Sequence, residues 1–356
     1  MATLTGMASW GAAVGLALFV SSNSACSSSS GSGAGNDGDA GTAPSPVPAN
    51  TWTWVDIPGM KCGNGAPTGI GVYVAPESPE VIFYMAGGGG CWDGNTCYGL
   101  KAATYMESGF TKDEFESDPQ ARIVQTVPGG NTPLRGRSMV YVPYCTGDDH
   151  AGNNVIQYDY SGSSRTAHHV GYENVGKALE YVASTWPGMK RLIVAGVSAG
   201  GFGTVFNFDR AQRRFPGVRV DGLDDSGPMI QPASGIWETV KAHWGLQLPP
   251  DCAACDEIPG YFDFLSAKYS KGPNRFALVS YTFDSVISGY MNLPAATFNA
   301  QLEELGSKIA SSWPAARYYY IPGTQHVALV YDSSPEFYAW LTAMLDDDPK
   351  WANHPN

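Results

Sequence analysis

The 356-residue chain carries 33 Asp and Glu against 21 Lys and Arg, a formal net charge of −12, together with 43 Gly and 25 Pro. Its length suits one large domain or two small ones, and its Gly and Pro content implies many turns. A diffuse acidic surface disfavours nucleic acid and anionic lipid as main partners and, more weakly, a polyanionic substrate.

Residues 11–20 form a short apolar run. It is too short to span a bilayer and suits the core of a signal peptide. Ser24-Ala25-Cys26 follows, with the small residues that signal peptidase accepts; Cys26 also fits a bacterial lipoprotein acceptor. No Lys or Arg precedes the run, and Asn23 stands where a lipoprotein signal usually has Leu. Residues 1–26 therefore read as a signal peptide or lipoprotein signal, with Cys26 the lipidation candidate. Residues 27–50 are Ser, Gly, Ala, Asp, Asn, Thr and Pro with almost nothing apolar. Such a segment buries too little surface to offset its ordering entropy and reads as a disordered tether. A single catalytic domain is expected over 51–356, as a monomer that is secreted or held at the cell surface.

From Thr51 onward strand-like and helix-like stretches alternate. Strands are predicted at 71–74, 80–85, 138–142, 191–195, 219–223, 276–281 and 317–321. Helices are predicted at 171–186 and 199–213, and a terminal one opens at Ser334-Pro335 with an N-cap followed by Pro at the first helical position. This alternation implies a mostly parallel sheet flanked by helices. Residues 229–272, which hold Trp237, Trp244, Cys252 and Cys255, read as a cap insertion.

The seven cysteines support export. Setting Cys26 aside leaves an even set, which an oxidising compartment would pair. The local choices are Cys91 with Cys97 and Cys252 with Cys255, leaving Cys62 with Cys145; other connectivities stay open. A zinc site at Cys252-x-x-Cys255 is a rival, with His243 the one further ligand nearby.

Gly196-Val197-Ser198-Ala199-Gly200 lies between the strand at 191–195 and the helix at 199–213. That is the G-x-S-x-G nucleophile elbow in the context it requires, and it specifies the α/β-hydrolase fold with Ser198 as nucleophile. A serine hydroxyl needs a base. In this fold the chain order is Ser, acid, His, which leaves His243, His326 and His354. His354 lies in the tail, and His243 leaves little room for a strand-borne acid before it. His326 follows the last strand and is the predicted base. Asp284, after the strand at 276–281, is the predicted acid, with Asp225 the runner-up. The oxyanion hole needs backbone N–H groups. Ala199 supplies one, and Gly88 and Gly89, in the glycine run after the strand at 80–85, supply others. Gly90 and Trp92 are expected to contact substrate. No cofactor or metal is called for.

Several motifs resemble the pectin acetylesterase and Notum family. They are Ala86-Gly87-Gly88-Gly89-Gly90-Cys91-Trp92 with Cys97-Tyr98, Tyr144-Cys145-Thr146-Gly147-Asp148, Gly196-Val197-Ser198-Ala199-Gly200-Gly201 and Asp225-Ser226-Gly227-Pro228. The resemblance runs in order over roughly residues 52–345. It implies the same nucleophile, acid and base, Ser198, Asp284 and His326, and the same oxyanion loop. Two positions depart from the family pattern: Ala86, where an acidic residue is common before the glycines, and Val327, where Cys commonly follows the His.

The expected activity is removal of a short acyl group, acetyl above all, from a polysaccharide such as acetylated pectin or xylan. The net charge ranks a neutral glycan slightly above pectin. The rivals are a lipid or polyester hydrolase of the same fold, and a non-catalytic sugar-binding surface built on Trp92, Trp237 and Trp244.

Overall fold

The computed structural model describes residues 47–355. The apolar run, Cys26 and the tether up to residue 46 lie outside the described residues. Ala49 bridges to Val74, and Asn50 N–H donates to the Val74 carbonyl at 2.8 Å, so the packed chain starts slightly before the expected boundary.

β1 (Trp52–Lys61) and β2 (Pro67–Tyr73) form an antiparallel pair. β3 (Glu80–Met85) leads into the glycine run, followed by α1 (Lys112–Ser117), α2 (Pro119–Thr126) and β4 (Ser138–Val142). A separate hairpin joins β5 (Asn154–Tyr160) to β6 (Ser163–His169). Then come α3 (Gly171–Thr185), β7 (Arg191–Val197), α4 (Ala199–Arg214) and β8 (Arg219–Asp225). α5 (Ile236–Trp244) and α6 (Gly260–Tyr269) precede β9 (Phe276–Tyr281) and α7 (Ser285–Tyr290). α8 (Ala295–Ser312), β10 (Ala316–Ile321) and α9 (Pro335–Leu345) complete the order.

The main sheet has eight strands in the order β1-β2-β4-β3-β7-β8-β9-β10. Every pair from β4 to β10 is parallel, and only β1 and β2 run against their neighbours. All seven residues of β7 are buried, the signature of a central parallel strand covered on both faces. Alternate side chains of β3 and β7 feed two cores. Val81, Phe83, Leu192 and Val194 pack with Leu179 of α3 and Phe208 of α4. Ile82, Tyr84, Ile193 and Ala195 pack with Val124 of α2 and Trp340 of α9. The predicted strands and helices all occur, with ends moved by a few residues.

The sequence reading did not place β1, the β5–β6 hairpin or the helices α1, α2, α5, α6, α7 and α8. β1 contains Pro58 and Gly59, which speak against a central strand. It is an edge strand whose register shifts between Asp56 and Lys61, with Gly59 left-handed at φ +82°. The hairpin strands are largely exposed and polar, so they lack an apolar alternation. Their turn, Ser161-Gly162, has positive φ at both residues, as a tight two-residue hairpin turn requires.

The six cysteines of the described residues pair as Cys62–Cys145, Cys91–Cys97 and Cys252–Cys255. The last pair is therefore a bridge rather than half of a zinc site. Cys62–Cys145 joins residues 83 apart and fastens the end of β1 to the loop after β4. A loop of that size is worth about 4.5 kcal/mol in the chain-entropy account.

Candidate active site

β7 ends at Val197 and α4 starts at Ala199, which leaves Ser198 alone on the turn. Its backbone, at φ +57° and ψ −122°, is strained for a residue with a side chain, at roughly 1–3 kcal/mol. The flanking glycines make the turn feasible. A Cβ on Gly196 would lie 2.2 Å from the Gly200 carbonyl oxygen, and one on Gly200 would lie 2.0 Å from that of Met85. Ser198 N–H donates to the Asp225 carbonyl at 2.8 Å, tying the turn to β8. The N-terminus of α4 adds positive partial charge beside the hydroxyl.

Asp284 follows β9 and caps α7. Its Oδ1 accepts from the N–H of Val286 at 2.9 Å and of Ile287 at 3.0 Å. Its Oδ2 lies 2.7 Å from His326 Nδ1. The carboxylate is fully buried and the imidazole mostly so. One oxygen thus fixes the helix start and the other orients the ring.

Asp225 has a different task. Its Oδ2 accepts from the N–H of both Ala328 and Leu329 at 2.6 Å, and its Oδ1 accepts from Ser226 Oγ at 2.9 Å. These bonds hold the loop behind His326, including Val327, a β-branched residue forced to φ +57°. Burial pushes the Asp225 carboxyl up to about 6, against the pull of the Leu329 and Ala328 hydrogen bonds.

The glycine run is pinned at its ends and open in its middle. Gly87 N–H donates to Gln120 Oε1 at 3.0 Å, and the Gly88 carbonyl accepts from Thr104 N–H at 2.8 Å. Cys91 N–H, directly after the run, donates to the Gly147 carbonyl at 3.0 Å, and the Tyr290 hydroxyl donates to the Ala102 carbonyl beside it. Gly89 is left-handed at φ +80°, and a Cβ there would sit 2.2 Å from Tyr290 Oη. Behind the run, His150 Nε2 meets the Ala86 carbonyl at 2.9 Å. Burial lowers the His150 imidazole to about 4, so the neutral ring donates this bond at physiological pH. None of the hydrogen bonds among the described residues uses the N–H of Gly88, Gly89 or Ala199.

Ser198 borders two cavities. The larger, about 990 Å3, is an open cleft lined by Gly87, Gly88, Gly89, His326 and the tyrosines 105, 144, 290 and 331. Among the described residues, its acidic and basic side chains besides His326 are Asp118 and Lys101, the latter paired with Glu107 at 3.1 Å. The smaller, about 70 Å3, is lined by Gly89, Gly90, Ser198 and Ala199 and walled by Trp92, Phe202, Phe206, Trp237, Val240 and Trp244. His326 lines only the first, Ala199 only the second. Such an arrangement can carry acyl transfer: a hydroxyl on a strained turn, an imidazole held by a carboxylate, and free N–H donors for an oxyanion.

The predicted residues thus lie around one point. Ser198, His326, Gly88 and Gly89 share the cleft, Asp284 stands behind the imidazole, and Gly90 and Trp92 border the narrow cavity. The sequence reading missed Gln120, Asp149, His150 and Tyr290. No motif marks them, because their contacts come from the fold; Tyr290 reaches a carbonyl 188 residues away.

A profile described as Pectinacetylesterase matches residues 52–239. The palmitoleoyl-protein carboxylesterase NOTUM of Mus musculus is 29% identical over 177 residues, 47% of this chain and 33% of that protein. Its Homo sapiens counterpart is 27% identical over 177 residues, 47% of this chain and 34% of that protein. The matched stretch thus spans about a third of the length of these curated relatives. With more than half of its residues matched by the profile, the chain belongs to the pectinacetylesterase family.

Proposed function

We propose that this protein is a serine carboxylesterase of the α/β-hydrolase fold that removes a short acyl group from a polysaccharide. The observation that carries the reading is the 2.7 Å bond between Asp284 and His326 in a cleft that also holds Ser198. His326 takes the proton of Ser198 as Oγ attacks the ester carbonyl. The oxyanion is held by the N–H groups of Gly88, Gly89 and Ala199. The intermediate collapses, the alcohol leaves with the proton from His326, and an acyl-enzyme remains. Water, losing a proton to His326, then releases the acid and frees Ser198. Asp284 keeps the imidazole in the required tautomer and stabilises its cation.

The two cavities divide the substrate between them. The group that protonates the leaving alcohol must reach it, so the alcohol side is the open cleft that His326 lines. The acyl side is then the narrow apolar cavity. At about 70 Å3 against about 990 Å3 for the cleft, it is the tighter of the two spaces beside Ser198 and suits a short acyl group. The open cleft, with its tyrosines, suits a sugar chain. The three disulfides support export, with residues 1–26 as the signal, Cys26 as a lipid acceptor and residues 229–272 as a cap.

A second reading, a longer acyl group on a lipid or protein, draws on the apolar walls of the narrow cavity and on the relatives' name. Its size favours the first.

Among the described residues, Lys101 is the only Lys or Arg lining the cleft. Arg210 lies over the Tyr172 ring and Arg213 pairs with Asp209, both on α4. Acetate release from acetylated xylan should therefore outpace release from acetylated pectin at low salt, and the gap should narrow as salt screens the acidic surface. Faster release from pectin at low salt, slowing as salt is added, would show a local positive field and reverse the ranking.

A further inference from the structure

Among the described residues, Asp149 is the only acidic or basic side chain lining the narrow cavity beside Ser198. It stands in a left-handed conformation at φ +51°, and His150 follows at φ +58°. Two successive left-handed residues with side chains persist only where their surroundings hold them. Asp149 N–H donates to Tyr144 Oη at 3.0 Å, and His150 is fixed by its bond to Ala86. The carboxyl is thereby set against the glycine run: a Cβ on Gly90 would lie 3.6 Å from Asp149 Oδ1 and 3.6 Å from the Trp244 ring. Oδ1 accepts one long hydrogen bond, from Tyr144 Oη at 3.4 Å. Oδ2 takes part in no hydrogen bond among the described residues. Burial, reinforced by the negative charge of Asp148, holds the Asp149 carboxyl well above the usual carboxylate range. A strained acid with so little hydrogen bonding adds nothing evident to stability, and such breaches of local rules gather at functional sites.

We propose that Asp149 sets the acyl selectivity of the site, giving the acyl cavity a polar wall that admits short acyl groups and rejects alkyl chains. The proposal rests on the esterase reading above and names the residue that limits the acyl group. An acetyl group leaves room for water to keep solvating the carboxyl. A longer chain would cover it and offer no partner in return, and an unpaired buried polar group is costly.

The measurement is the ratio of kcat/KM for a hexanoyl ester to that for an acetyl ester of the same alcohol. A ratio cancels any difference in folded fraction between variants. Asp149→Leu should raise it about tenfold or more. Asp149→Asn, polar and well suited to a left-handed position, should leave it near the wild-type value. If Asp149→Leu does not fold, Asp149→Ala against Asp149→Ser makes the same comparison at smaller size, with only Ala raising the ratio. An unchanged ratio in the apolar variant, or an equal rise in the polar one, overturns the proposal while leaving the esterase reading intact. Wild-type protein that turns over neither ester overturns both.

Discussion

Ser198→Ala should lower kcat by about a million-fold and leave the fold unchanged. The effect is large because nucleophile and base act as a unit: without Oγ, His326 has no proton to take and no acyl-enzyme forms. The fold should survive because the strained turn is fixed by its neighbours. The Ser198 N–H bond to Asp225 is a backbone bond, and the close approaches of Gly196 and Gly200 do not involve the hydroxyl. Thermal melting and circular dichroism should match the wild type. Turnover at the wild-type rate would end the serine-hydrolase reading. A slow residual rate would fit oxyanion donors that remain in place.

Asp284→Asn should lower kcat by about ten-thousand-fold. The amide still caps α7, since Asn is as good an N-cap as Asp, so stability should barely change. It does not hold His326 in the tautomer that leaves Nε2 free to accept a proton. Asp225→Asn should cost far less, because one amide oxygen can still accept from Ala328 and Leu329. Steady-state kinetics on the two variants decides the matter. A larger loss in Asp225→Asn would move the acid assignment to that residue.

Much of the site was legible in the sequence because its signals are local. The Ser198 turn needs small residues at 196 and 200 between a buried strand and a helix, and all of that lies in one stretch of text. His326 followed from chain order and from its place after the last strand. The candidate acid was less distinct, since Asp225 and Asp284 both follow parallel strands. Only the fold reveals that one meets an imidazole and the other meets two backbone N–H groups. The parallel strands showed through their continuous apolar runs. The edge strand β1 was obscured by Pro58-Gly59, and the hairpin by its polar, exposed strands. The narrow cavity was illegible for a different reason. Its walls come from the glycine run, α4, α5 and α7, and nothing in any one of these segments tells that they converge on Ser198. Asp149 and Tyr290 belong to the same class of residue, given meaning only by what the fold brings near them.

The central claim is that acyl transfer runs through Ser198, and the most direct measurement is to trap the acyl-enzyme. The protein would be mixed with excess acetyl ester of a good leaving group, quenched in acid within the turnover time, and digested for mass spectrometry. The account predicts one added acetyl group on the peptide carrying Ser198, assigned to Ser198 by fragmentation and absent from Ser198→Ala. Ester hydrolysis with no acetyl on that peptide, or the same acetyl adduct in Ser198→Ala, would contradict it.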